Sequence, residues 1–543
     1  MKKTTMRKIL SLVLALVLVA ALAACSGGGS SSGGGTPNTS TGESNAPDTS
    51  SGGAVRDDVV IQVYGDAGTL DPIRCHQILG MHAVRASFYE SLWCAGYWTE
   101  NGEQIERVRD YQLAESMEEL SETEILVHLR QGVTFSNGNP FTADDVLFTM
   151  KLYYDSTQKQ YVENVDFDKT EIIDDYTIKI VFNSYNYEQI GRLNSMYIFD
   201  EESYDETSIV TNPVGTGAYV MDEYVSGSHI TAHAREDYWG GEPTIKKITF
   251  KIINEESQAT NAYETGEVDV LSLNPTADID HLASLPHTAQ IRVVEPTCTM
   301  IRFNMSENSV MSNKDARYAV MYATDLNAIN AIAFGGLGTL PQCIIPMKVE
   351  DSDPAFADTT QIYKDLADGP DYELAQQYAE KAGIVGETLR LINDGTPKFA
   401  SACEIIQTCL GKIGVNVEII TYDAGSFKEK YADLTTWDMF PSEHSNPTNA
   451  SYPLATRILT ANKVGWSGPV YDEVVGHAWD VVGEFDAEKR HELMLDYLVE
   501  LQDYSPAFNI GDDQKVYTYN SNLQGVEIYC MHDFLVKDWS WAS

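Results

Sequence analysis

Leu126-Val127-His128-Leu129-Arg130-Gln131-Gly132-Val133-Thr134-Phe135-Ser136-Asn137-Gly138-Asn139-Pro140-Phe141-Thr142-Ala143-Asp144-Asp145-Val146-Leu147-Phe148 is the densest run of structural instruction in this chain of 543 residues. Leu126, His128 and Arg130 alternate with Val127 and Leu129, which predicts a strand with one face on a core and one in water. Asn137-Gly138 supplies the positive φ that a tight turn demands. Pro140 ends any strand. Thr142-Ala143-Asp144-Asp145 then forms a capping box ahead of Val146-Leu147-Phe148, so a helix starts there. None of these residues is arranged for catalysis.

Upstream, residues 1–24 read as an export leader. Lys2, Lys3, Arg7 and Lys8 make a basic start, and an apolar run follows that is short for a membrane span and ends in small residues. Leu22-Ala23-Ala24-Cys25 looks like a bacterial lipobox, which makes Cys25 the expected lipidation site and first mature residue. Two acyl chains on such a Cys anchor stably, at about 0.8 kcal/mol per buried CH₂. Residues 26–53 are almost entirely Gly, Ser, Thr, Asn and Pro. They contain too little apolar surface to fold and are expected to be a tether of roughly 30 Å reach. The expected location is the extracytoplasmic face of the bacterial cytoplasmic membrane, with the body in solution.

Formal net charge is −43, and removing the leader's cations makes the rest more negative still. Nucleic-acid binding needs a basic footprint and is excluded as a leading function. Eight cysteines include no pair at metal-ligand spacing, and Cys403 falls on an apolar helical stripe with Ile406, Leu410 and Ile413. With Cys25 lipidated an odd number remains.

Beyond the opening stretch, strands are expected at 58–64, 176–182 and 268–271, and a helix at 81–92. Helices at 371–382 and 399–413, closed by Gly383 and Gly414, each lead into a strand, at 389–392 and 415–422. Helices at 315–323 and 326–334, with Asp325 as N-cap of the second, a long helix at 486–501 and a strand-like tail from 507 complete an α/β pattern.

Taken together these motifs resemble the solute-binding proteins of ABC importers, in the peptide/nickel (oligopeptide-, dipeptide- and nickel-binding) family. The resemblance is carried by Thr69-Leu70-Asp71-Pro72, Tyr89-Glu90-Ser91-Leu92, the 126–148 stretch, Asn212-Pro213-Val214-Gly215-Thr216-Gly217-Ala218-Tyr219, Asp237-Tyr238-Trp239-Gly240-Gly241, Gly266-Glu267-Val268-Asp269, the 317–325 segment and Lys412-Ile413-Gly414-Val415. They stand in the family's order and span nearly the whole mature chain. The resemblance implies an α/β, two-lobe periplasmic-binding-protein-like fold with an additional N-terminal domain. Lobe I would comprise residues 56–92, 210–303 and 505–543. The extra domain would be 93–209, lobe II 304–504, and the crossings near Asn304 and Tyr504 would be hinges.

It also implies function: capture of short peptides in the cleft and delivery to permease and ATPase subunits, by a monomer without cofactor or enzymatic activity. Oligosaccharide or a nickel or other metal chelate are the alternative cargoes, and sensing is the alternative use. Glu443 stands in register with the acid that pairs a peptide's α-ammonium, ahead of Asn446-Pro447-Thr448, though the segment is shorter than usual and carries Glu for Asp. A solvated loop acid is the other reading of Glu443. His76, Gln77 and Ile78 would line the cleft after Leu-Asp-Pro, and Trp437 and Phe440 either the opposite wall or the core. Cys75, His76 and His82 lack a metal-ligand spacing. Gly465-Trp466-Ser467-Gly468 misses the Gly-x-Ser-x-Gly pattern, and His491-Glu492 has Leu495 where a second His is required, which leaves an extracytoplasmic hydrolase as a remote alternative.

Overall fold

The computed structural model describes residues 56–66, 68–74, 82–100, 103–272, 278–349, 351–445, 451–460, 464–529 and 533–542. The leader, Cys25, the tether, and His76, Gln77 and Ile78 lie outside the described residues.

The 126–148 stretch folds as its pattern dictates. In the strand Glu124–Leu129, Ile125, Val127 and Leu129 are buried and the intervening residues are not. Gly138 turns the chain at φ 95°. Asp145 Oδ2 then accepts the Thr142 backbone N–H at 2.8 Å at the start of the helix Ala143–Tyr154. The strand sits inside a four-stranded antiparallel sheet, flanked by Ala114–Ser121 and Thr177–Val181, with Glu171–Asp174 beyond. Ser136 N–H donates to Gly215 O at 2.9 Å, and buried Arg235 donates to Thr134 O at 3.0 Å, which ties the stretch to the Asn212–Tyr219 turn and its neighbour. Gly217 N–H in turn donates to Phe88 O at 3.0 Å. That bond takes the carbonyl a longer helix would need, so the first helix among the described residues is His82–Phe88 and stops short of the expected Leu92.

A ten-stranded mixed sheet runs through the molecule. In chain order its strands are β1 (Asp58–Val63), β2 (Tyr219–Val225), β3 (His229–Ala234), β4 (Lys247–Ile252), β5 (Val270–Leu271), β6 (Thr288–Phe303), β7 (Thr388–Asn393), β8 (Asn416–Thr421), β9 (Met439–Ser445) and β10 (Ala507–Asn520). Across the sheet the order is β8-β7-β9-β6-β10-β5-β1-β4-β3-β2. The two longest strands, β6 and β10, pair antiparallel from Thr288↔Asn520 to Arg302↔Ala507. Their ladder is irregular between Val294 and Cys298 and again between Thr299 and Met300.

The hydrophobic core changes hands along these two strands. Ile291, Val293 and Tyr517 belong to one cluster shared by β1–β4 and the four-stranded sheet, so among the described residues the core of that sheet is continuous with that of β1–β4. Cys298, Met300, Ile301, Phe303, Ala507, Phe508 and Ile510 belong to clusters built on the helices and strands of residues 304–504. Two lobes therefore meet along β6 and β10. Asn304, near one expected crossing, lies inside the second lobe, wholly buried, with its amide donating to Leu434 O and Trp437 O.

In the second lobe the helix–glycine–strand alternation is as expected. Gly383 (φ 72°) and Gly414 (φ 74°) end the helices Tyr372–Ala382 and Pro397–Gly411 before β7 and β8. Asp325 caps Leu326–Ala333 by accepting from Ala328 N–H at 2.9 Å. Cys403 is buried beside Ala402, Ile406 and Leu410, and burial pushes its thiol up to about 12. A second link between the lobes comes from the 182–192 segment. Tyr187 N–H donates to Val482 O at 3.1 Å, the Arg490 guanidinium lies 4.1 Å over the Tyr187 ring, and Tyr185 packs edge-on to Phe485.

Candidate functional site: an acid–lysine cluster where the lobes meet

β9 brings Glu443 opposite Thr299 of β6, and Thr299 in turn stands opposite Gly511 of β10. The two residues after Gly511 are Asp512 and Asp513, both buried. Pro397 sets the first turn of the helix Pro397–Gly411 and aims Lys398 at this point. Lys398 Nζ donates to Glu443 Oε1 at 2.6 Å and to Asp513 Oδ1 at 3.0 Å. Among the described residues Glu443 has no other hydrogen-bond partner, and its side chain is 50% exposed. Deeper in, Glu295 pairs with Lys515 at 2.7 Å, and Asp512 accepts from Asn509 Nδ2 at 2.8 Å and Met347 N–H at 3.4 Å. Glu443, Asp513 and Glu295 thus stand against Lys398 and Lys515, so the cluster keeps an excess of negative charge.

Burial is the dominant electrostatic effect. It raises Asp513 to about 6 against the pull of Lys398, with the charges of Glu443 and Glu295 adding to the rise. It raises Asp512 to about 7 despite the amide donors. Burial pulls the Lys398 ammonium down, but Asp513 and Glu443 together outweigh it, and its pKa ends above the ordinary value. Asp145, in the helix cap, is raised to about 6, again by burial first. Each of these acids binds a proton more readily folded than unfolded, so each favours the folded state more as pH falls through the window from about 4 to about 7. Self-repulsion of a strongly acidic chain acts in the same direction. Urea denaturation at matched ionic strength is therefore expected to give a higher midpoint at pH 5 than at pH 7.5.

A family model described as bacterial extracellular solute-binding proteins, family 5 Middle, matches residues 110–465. The chain belongs to that family. Among the relatives of this family 5 protein is heme-binding protein A of Haemophilus influenzae, 24% identical, the match covering 70% of this chain and 74% of that one. The nickel-binding periplasmic protein of Escherichia coli is 24% identical, with 69% and 75% covered. In fold, the family 5 chain is similar to a putative peptide-binding protein, AppA, from Clostridium difficile. There the TM-score is 0.75 at 22% identity, over 89% of this chain and 100% of the other. The oligopeptide-binding AppA from Bacillus subtilis, solved with a nonapeptide, gives a TM-score of 0.69 at 17% identity over 90% and 100%. The two-lobe α/β architecture is that of these structures.

Of the residues expected to line a family 5 cleft, Glu443 stands at the meeting of the lobes, but paired to Lys398 rather than bare. Phe440 and Trp437 do not join it. Both are buried in a cluster with Ile392; Trp437 Nε1 donates to Tyr431 O at 2.9 Å, and its ring meets Phe440 edge-on at 4.9 Å. The reason is the strand period: residues three apart on β9 point to opposite faces, so Phe440 cannot share a wall with Glu443. His76, Gln77, Ile78 and the 446–448 element fall outside the described residues, and among the described residues no three His, Cys, Asp or Glu side chains are grouped to hold a metal. Sequence reasoning missed Lys398, Asp512 and Asp513. The adjacent acids directly after the largely apolar Ala507-Phe508-Asn509-Ile510-Gly511 were a readable sign, because buried acids in a strand need a partner. Nothing local marks Lys398.

Proposed function

We propose that the protein is the extracytoplasmic receptor of an ABC importer and that its cargo is a short peptide, held between the lobes with its α-ammonium on Glu443. The observation that supports this best is the overhang of β9. β9 pairs with β6 over seven residues, from Thr297↔Ser445 to Phe303↔Met439, but with β7 only at Leu391↔Met439. The far edge of residues 440–445 thus extends beyond its neighbour, beside an exposed carboxylate in an acidic cluster. An extended peptide can add to such an edge through main-chain hydrogen bonds while a carboxylate takes its ammonium. Dipeptide-binding proteins of Pseudomonas aeruginosa and Escherichia coli, 24% and 23% identical, are among the relatives and support the cargo class.

In this reading Lys398 keeps Glu443 in place while the cleft is empty and shares it once the ammonium arrives. Closure turns about the irregular β6–β10 ladder near Val294–Cys298 and is stabilised only when ligand touches both lobes. The closed protein, a monomer, docks on permease subunits whose ATPases supply the work, and it performs no catalysis itself.

Calorimetric titration with di- to hexapeptides, free and N-acetylated, tests the cargo. Free peptides are expected to bind, and Glu443→Gln is expected to weaken them about thirtyfold, the loss of one desolvated charge pair. Equal affinity for acetylated peptides would remove Glu443 from this role, and a sugar or metal-chelate mass in native mass spectrometry of the purified protein would redirect the cargo. Anchoring through Cys25 is a separate element: Cys25→Ser is expected to move the protein from the membrane fraction to the soluble fraction, read by immunoblot.

A further inference from the structure

Residues 183–192 follow the strand Thr177–Val181 of the four-stranded sheet, and both ends of this segment are fixed to the body that carries that sheet. Phe182 before it and Leu193 after it lie in the core shared with β1–β4. Asn164 pins the two ends together. Its Nδ2 donates to Ser184 O and to Gln189 Oε1, each at 2.9 Å, and its carbonyl accepts Asn183 N–H at 2.8 Å. Arg192 adds a third tie, with Nη1 donating to Gln160 O at 2.8 Å and Nε to Glu188 Oε2 at 2.7 Å.

The middle of the same segment is seated in the other lobe. The Tyr187 ring packs against the second-lobe core cluster that includes Tyr452 and Val482, and it meets Tyr452 edge-on at 6.4 Å. Its N–H donates to Val482 O at 3.1 Å, near the end of the helix Pro469–Gly483. Arg490, on the helix Ala487–Tyr504, is aimed by its own lobe: Nη1 donates to Glu484 O at 3.0 Å and to Phe485 O at 3.2 Å. So held, the guanidinium lies 4.1 Å over the Tyr187 ring. Tyr185 rests edge-on against Phe485 with centroids 5.1 Å apart.

β6 and β10 carry the chain into and out of the second lobe, so rotation about them can leave their ladder paired. The same rotation must part Tyr187 from Val482 and Arg490, because one side of that contact moves with each lobe. Its parts are small enough to release: Tyr185 and Tyr187 are only partly buried, and Phe485 is half exposed.

We infer that residues 183–192 are a latch, a strap of the first lobe's body that seats Tyr187 in the second lobe and holds the two together before any cargo arrives. The inference rests on the two-lobe receptor reading above but on no particular cargo. A contact made only in the closed form sets how much of the empty receptor stands open, and it lowers the binding energy that a ligand must supply for closure.

Small-angle scattering of the ligand-free protein tests the latch, with the wild type compared against Tyr187→Ala, Phe485→Ala and Asn164→Ala. Each of the first two removes ring contacts between the lobes and is expected to shift the open-to-closed ratio about fivefold toward open. The shift is read as a rise in radius of gyration over the wild type. Asn164→Ala loosens the strap from its own body without touching the second lobe, and is expected to act in the same direction. Thermal melts confirm folding, and half-exposed Phe485 decides the matter where Tyr187→Ala fails to fold. An unchanged radius of gyration in the folded variants would overturn the proposal, including where the melting temperature falls, since that marks static packing. Peptides that fail to bind in calorimetry would retire the cargo reading and leave the scattering result standing.

Discussion

Lys398→Met is expected to cost about 3 kcal/mol of folding free energy near neutral pH, and distinctly less at pH 5. Methionine keeps much of the lysine's apolar stem, so the loss isolates the ammonium, including its approach to the Phe334 and Phe399 rings. What remains is Asp513, buried and without its ammonium. Without the pull of Lys398 its pKa rises still further, so near neutral pH the fold must either hold an uncompensated charge or take up a proton, whereas at pH 5 the carboxyl is already protonated and the penalty shrinks. Glu443, half in water, contributes little to the difference. Urea melts at the two pH values check this. An equal loss at both would mean that the lysine acts by packing alone, and the double variant with Asp513→Asn should recover most of the loss if the charge is responsible.

Gly217→Ala is expected to cost about 3 kcal/mol, the upper end for overpacking, because the new methyl has nowhere to go. Its Cβ would lie 2.5 Å from both Ser87 O and Phe88 C, and one at Gly215 would lie 2.2 Å from Phe88 O. These neighbours are main chain at the end of the helix His82–Phe88 and cannot swing aside. Gly476→Ala, in the helix Pro469–Gly483 with open space around its Cβ, is the matched control and should be neutral or stabilising. Comparable melts for the two variants would contradict the close approach at Gly217.

Local chemistry made much of the fold legible. The capping box at Thr142, the cap at Asp325 and the glycines ending Tyr372–Ala382 and Pro397–Gly411 each act within a few residues, and each appears where the sequence puts it. The early stop of the first helix was not legible, because it depends on Gly217, more than a hundred residues away in the chain. The candidate site divides the same way. Glu443 could be found from its register, but its partner Lys398 arrives from another helix through the packing of Ala402, Cys403 and Ile406 against the second lobe's core. Of the two readings of Phe440, cleft wall or core, strand parity favours the core, and it could have been counted from the sequence once residues 439–445 were taken as a strand.

The position of β10 bears on how the chain is made. Residues 507–520 form an interior strand, bonded to β6 on one side and β5 on the other, and they contribute to the cores of both lobes. A nascent chain lacking them has an open gap in the middle of its sheet and two unfinished cores. Neither lobe can therefore lock into its final form while synthesis is under way, because the pairing that completes both spans more than two hundred residues from β6 to β10. The late arrival of this strand keeps both lobes open to rearrangement until residues 507–520 have been made.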